Sequence, residues 1–286
     1  MTTRTVTEEV LRTRSGLVGI LTGDGEAVEA DRPAVVILNS GVIHRVGACR
    51  VSVSLARRLA GLGHPVLRFD HHGIGDSPPR QDALEGVEGR VSEIVEAMDA
   101  VATAAGAREF VLYGLCSGAR DAFHAALEDE RVVGIVQVDG FAYRTLRYHL
   151  GKLVERVRDP RMLMRSVQRR LAPTRRAGTP AESDRDMWVQ QWPDYPPRQE
   201  VEAGYGRLVA RGVHIHALYT GSWQDQYNYP GQFRDMYSRI DFDGRLTVRY
   251  LPEARHILPD PTHREMVIGG VAEWITRAFE PAGTPP

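Results

Sequence analysis

Gly114-Leu115-Cys116-Ser117-Gly118 constrains this chain more than any other stretch. A short β-rich run, Phe110-Val111-Leu112-Tyr113, leads into it, and a helix-prone run, Ala119 to Leu127, leads out. A strand that turns sharply into a helix through Gly-x-nucleophile-x-Gly holds its central residue in a strained backbone conformation. Side chains two places either side would collide with the neighbouring strand and helix, so both positions require glycine. The bend lifts the central side chain above the sheet edge. It also sets that side chain at a helix N-terminus, where the dipole and free N–H groups favour negative charge. Cysteine stands there, and a thiol reacts as its thiolate. Cys116 is therefore the expected nucleophile, and Cys49, the other cysteine, a structural one.

Around this bend, apolar runs alternate with helical patterns, the signature of an α/β fold with a mostly parallel, doubly wound sheet. Strands are expected at Leu17 to Thr22, Ala34 to Leu38, Val66 to Phe69, Val132 to Val138, Val213 to Tyr219 and Leu246 to Leu251, besides the one entering the bend. Helices are expected at Cys49 to Leu62, Val87 to Ala105, Arg198 to Ala210, Gly231 to Arg239 and Thr262 to Phe279. Between about Ala142 and Pro197 the alternation stops, and the stretch is rich in Arg, Pro and Trp. It reads as a helical insertion at 142–197 in a core formed by 1–141 and 198–286.

With 286 residues and 42% hydrophobic content, the chain can bury one large core. A formal net charge of −1 argues against a general polyanion binder. The apolar runs are too short to span a bilayer, and Thr2 to Arg14 lacks a basic-then-apolar signal pattern. Two cysteines give neither a disulfide framework nor a metal-binding spacing. A cytoplasmic protein with reduced thiols and no cofactor is the expectation.

Chain order then supplies partners for Cys116. Of ten histidines, only His256 and His263 follow the last strand, and His263 already opens the closing helix. His256 is the expected base, at the end of the order nucleophile, acid, histidine. For the orienting acid, Asp225 lies in the loop after the penultimate strand, and Asp139 ends the strand after the bend. Asp225 is the preferred reading and Asp139 the alternative, since Asp139 beside Gly140 also suits a turn. For an oxyanion hole, one N–H would come from Ser117 and the second from Val42, in the Asn39-Ser40-Gly41-Val42 loop. His71 and His72 follow a strand at the same rim, but adjacent residues on a turn rarely aim at one ion. They read as loop residues.

These features together resemble the α/β-hydrolase superfamily across roughly Leu17 to Phe279. Leu38-Asn39-Ser40-Gly41, His44-Arg45-Val46-Gly47, Leu67-Arg68-Phe69-Asp70, Gly73-Ile74-Gly75-Asp76-Ser77 and the bend itself resemble one bacterial branch. That branch holds serine-aminopeptidase-like, exosortase-associated and thioesterase-like hydrolases. The resemblance implies an α/β-hydrolase fold, with the 142–197 insertion as a lid, and acyl chemistry through a thioester on Cys116. The cysteine departs from the serine of most members and favours a thioester or lactone over an ordinary alkyl ester. A lyase or cyclase using His256 for proton abstraction is the alternative, and a non-catalytic binding module a third.

Eleven basic residues lie between Arg144 and Arg176, opposed by Glu155 and Asp159. One reading is a surface for an acidic acyl-carrier protein, or for the phosphates of a coenzyme A thioester. The stronger one is a solvated face on an amphipathic helix whose Leu150, Val154, Met162, Leu163 and Val167 close over a pocket. Trp188, Trp192 and Tyr195 read as packing residues of the insertion.

Overall fold

The computed structural model describes residues 6–23, 32–158 and 195–279. Eight strands form one sheet: β1 (Thr7–Arg12), β2 (Val18–Gly23), β3 (Ala34–Ile37), β4 (Val66–Phe69), β5 (Phe110–Leu115), β6 (Val132–Val138), β7 (His214–Thr220) and β8 (Leu246–Leu251). Their spatial order is β1-β2-β4-β3-β5-β6-β7-β8. The first two are antiparallel, and every pair from β4 through β3 to β8 is parallel.

The parallel strands read as unbroken apolar runs because helices cover both faces. Every residue of β3, β4 and β5 is buried. Two helices, α1 (Val51–Ala60) and the closing helix α7 (Pro261–Ala278), pack one face with Val51, Leu55, Leu59, Val267, Val271 and Ile275. The spacing of three to four residues makes one apolar stripe on each helix. The other face takes α2 (Gly86–Ala105), α3 (Ser117–Glu128) and α5 (Arg198–Ala210). Gly106, at φ 68°, ends α2 in the left-handed conformation that glycine adopts without penalty. Asp260 caps α7 by accepting from the N–H groups of Thr262 and His263, and Pro261 supplies a pre-set first turn. A short helix, α6 (Gln232–Met236), precedes β8.

β1 was not expected. Thr7–Arg12 is exposed along almost its whole length and has no apolar alternation to read. It is an edge strand held by pairing with β2 and by Glu8, which reaches Arg57 and the buried Arg68 on neighbouring elements.

The expected insertion opens with α4 (Leu146–Arg158). Leu150 and Val154 are 54% and 46% exposed there. The remaining residues named for the insertion, from Arg161 through Trp188 and Trp192, lie outside the described residues. Tyr195 packs its ring edge-on to Phe141 and receives the Ala142 N–H on its hydroxyl at 2.7 Å. No helix among the described residues is long and apolar enough to cross a membrane.

Candidate active site

The bend between β5 and α3 has the geometry its sequence demands. Cys116 sits at φ 59°, ψ −115°, a conformation L-residues rarely hold. Hydrogen bonds fix it from both sides: its N–H donates to Val138 O at 2.9 Å, and its carbonyl accepts from Ala119 N at 3.1 Å. A Cβ on Gly114 would stand 2.0 Å from the Gly118 carbonyl carbon, and one on Gly118 would stand 2.5 Å from Asn39 O. Neither position accepts a side chain without moving backbone.

Cys116 is buried, and its partner in the site is His256. His256 stands in the loop between β8 and α7, brought there by a close approach of two backbones. A Cβ on Gly221 would lie 1.9 Å from Pro252 O, while the Gly221 N–H donates to Ala254 O at 2.9 Å. The His256 N–H donates to Ser222 Oγ at 3.0 Å, and the indole of Trp223 stacks on the imidazole at 5.7 Å and 13°. The sequence does not mark out Ser222 and Trp223, although both lie in the loop that carries Asp225. Neither a loop hydroxyl nor a loop indole has a sequence signal that separates orienting from packing.

The acid on His256 is Asp139. Its Oδ2 lies 2.7 Å from His256 Nδ1. The expectation for Asp225 is thereby corrected: Asp225 is exposed, and its carbonyl oxygen accepts from Arg144 Nε and Tyr148 Oη. The physical reason is strand order. β6 and β7 are neighbours, so the end of β6 comes up beside the last residue of β7, in front of the loop that carries His256. Thr220 completes the setting, donating its N–H to Asp139 Oδ1 and its hydroxyl to Oδ2, both at 2.7 Å. The carboxylate is wholly buried with three donors, and Asp139 reaches them from a left-handed backbone at φ 51°. Gly140 beside it suggested an ordinary turn; the turn itself aims the carboxylate.

Electrostatics favour a charged imidazole. Burial pulls the His256 pKa down, but the hydrogen bonds to Asp139 and to Cys116 outweigh it and push the value up to about 10. With Nδ1 on Asp139, the opposite ring nitrogen is the one available to Cys116. An imidazolium beside a thiol stabilises the thiolate, the state a nucleophilic cysteine must reach.

The β3–α1 loop closes over the bend. Gly41 N–H donates to Ser117 Oγ at 2.7 Å, and a turn closed by Ile43 N to Ser40 O (3.0 Å) sets Val42 at its tip. Ser117 opens α3, where first-turn N–H groups have no helical acceptor. The two backbones named for an oxyanion hole, Ser117 and the Val42 loop, are thus tied together. Beneath them Asp70 acts as a hub. Its carboxylate takes the Arg45 backbone N–H and guanidinium, and Asn39 Nδ2 at 3.3 Å. Gly75 leaves room for it, since a Cβ there would meet Asp70 Oδ2 at 2.1 Å. His71 is buried and pairs with Glu93, and His72 bonds Pro78 O at 2.8 Å.

A family model described as serine aminopeptidase, S33, matches residues 30–196, more than half of the chain. The chain belongs to that family. No curated protein matches it. Solved structures do match this S33-family chain along nearly its whole length. A putative α/β hydrolase of unknown function from Agrobacterium tumefaciens is 13% identical, with a TM-score of 0.59, covering 98% of this chain and 100% of its own. A hypothetical protein from Pseudomonas aeruginosa is 14% identical with a TM-score of 0.60, covering 97% and 95%. An esterase from Pyrococcus furiosus is 14% identical with a TM-score of 0.55, covering 95% and 92%. At these identities the likeness shows the fold. It is the α/β-hydrolase fold, and the S33-family protein is an α/β hydrolase.

Proposed function

We infer that this protein is a cysteine-dependent acyl hydrolase or acyltransferase acting on an activated acyl group: a thioester, ester or lactone. The observation that carries the reading is the file of groups behind one sulfur: Cys116, then His256, then Asp139 Oδ2 at 2.7 Å from His256 Nδ1. Cys116 Sγ attacks the carbonyl carbon, and the resulting oxyanion is held by the N–H groups of Ser117 and Val42. The oxyanion collapses, the leaving group takes a proton from His256, and a thioester to Cys116 remains. Water or another nucleophile then gives its proton to His256 and displaces the thiolate.

Thiolate chemistry selects the substrate. A thiolate leaves more readily than an alkoxide, so attack on an alkyl ester tends to revert, whereas attack on a thioester or strained lactone goes forward. The 142–197 segment is proposed as the lid of this site, facing an acidic carrier protein or a coenzyme A thioester. Arg144, Arg147 and Lys152, at its start, support that reading by charge. A role in secondary metabolism and a cytoplasmic location complete the proposal.

The test is turnover of matched acyl thioesters, lactones and alkyl esters by the wild type and Cys116→Ala. Loss of thioester and lactone turnover in the variant, by about 10³-fold or more, is expected. Turnover that survives the substitution would instead favour proton abstraction by His256 without an acyl-enzyme.

A further inference from the structure

The loop after β7 does not supply the acid, which Asp139 brings from the end of β6. It holds the histidine all the same, through three consecutive residues. Gly221 N–H donates to Ala254 O at 2.9 Å, Ser222 Oγ accepts the His256 N–H at 3.0 Å, and the Trp223 indole covers one face of the His256 ring. The first two contacts fix the backbone on which His256 stands. Only the third touches its imidazole.

The geometry of that third contact is specific. The two ring planes lie 13° apart with their centroids 5.7 Å apart, within the range of offset stacking. Trp223 is buried, and its backbone is pinned: its carbonyl accepts from Gln226 N and Tyr227 N, both at 2.8 Å. The ring of His256 needs such a surface. Bonds to Asp139 on one side and Cys116 on the other leave it able to twist about the line that joins those partners. A flat group against one face removes that freedom.

Charge gives a second reason for an indole. Among the described residues, the titratable groups facing the ring are Asp139 from β6 and Cys116 from the bend, and both bond to its edge. Burial works against the imidazolium. Its faces carry no N–H, so the electron-rich face of an aromatic ring is the group that can stabilise the charge there. An aliphatic side chain would fill the space and leave the buried cation uncompensated on that side.

We propose that Trp223 is a positioning residue of this site: its indole fixes the plane of the His256 ring and stabilises its charged form, which keeps Cys116 a thiolate. The effect on turnover rests on the acyl reading; the hold on the ring does not.

NMR titration of isotope-labelled histidine in the full chain reads the His256 midpoint without any substrate, its signal identified by its loss in His256→Gln. Two replacements are compared with the wild type. Trp223→Leu removes the aromatic face, whereas tetrafluorotryptophan at position 223 keeps the shape and drains electron density from the face. From about 10 in the wild type, the midpoint should fall by about 0.5–1 in pH in each. On an acyl thioester, Trp223→Leu should lose at least about tenfold in kcat while KM stays within about threefold. Should Trp223→Leu not fold, the fluorinated protein carries the test alone. A midpoint unmoved by fluorination overturns the proposal whatever Trp223→Leu does, because packing alone would then account for the indole. An unchanged kcat in Trp223→Leu overturns it as well. A wild type that turns over no thioester overturns the acyl reading instead, and the midpoint still decides for Trp223.

Discussion

Asp139 shows how much one residue's setting decides. Its carboxylate is buried, takes two donors from Thr220, and has a third contact to spend on His256. The sequence offers both acids, and chain order favours Asp225 because it places an acid after the penultimate strand. Chain order does not say which carboxylate stands on the imidazole's far side. That is a matter of the β6–β7 neighbourhood and of a left-handed backbone at Asp139, neither of which leaves a mark in the residue types. Cys116, His256 and the Ser117 backbone of the candidate site can be singled out in the sequence because a strand–turn–helix signal and a position after the last strand are local facts. The consequence is directly testable. Asp139→Asn should lower kcat by at least about tenfold, and by up to roughly 10⁴-fold if the histidine flips to the wrong tautomer. Asp225→Asn should stay within about twofold of wild type, since its exposed side chain has no part in orienting His256. Steady-state kinetics on one thioester, with both variants in parallel, reads the difference.

At the scale of elements, the bend is a packing problem solved by two missing side chains. Gly118 lies against the carbonyl of Asn39, at the end of β3, and that contact fixes how closely α3 can approach the sheet. Gly118→Ala forces either α3 or the β3 loop to move, and the loop is tied to Ser117 through Gly41. A loss of stability of about 3 kcal/mol or more is expected, read by chemical denaturation, with activity falling further than stability. Several core elements could be read from sequence almost to the residue: β4, β6, β8 and α5 stand where apolar runs and helical spacing put them. β1 could not, because an exposed edge strand with mixed charges lacks the alternation that burial on one face imposes. Its stability comes from pairing and from Glu8 at Arg68, contacts visible only once the strands are side by side.

The whole molecule brings the site together from four neighbouring strands. Cys116 follows β5, Asp139 ends β6, Thr220 ends β7 and His256 follows β8, so parallel strands deliver all four residues to one edge. His256 and Asp139 are 117 positions apart in the chain and 2.7 Å apart in space. Holding that pair couples folding to pH. The folded His256 pKa, about 10, exceeds its ordinary 6.5, so the stabilisation from its charge is complete below about pH 6.5 and disappears as pH rises through 10. The stability difference between wild type and His256→Gln should therefore shrink as pH is raised from about 6 to 10 in a series of urea melts. A difference that stays flat over that range would mean the imidazole is not held in its charged form.

The central claim is a covalent one, and mass spectrometry of the intact protein reads it directly. After rapid mixing with an excess of an acyl thioester and an acid quench, the wild type should gain the mass of one acyl group, with the label mapping to the peptide that carries residue 116. Cys116→Ala should gain nothing. Equal labelling of both proteins, or thioester turnover with no acyl group ever found on Cys116, would contradict the account.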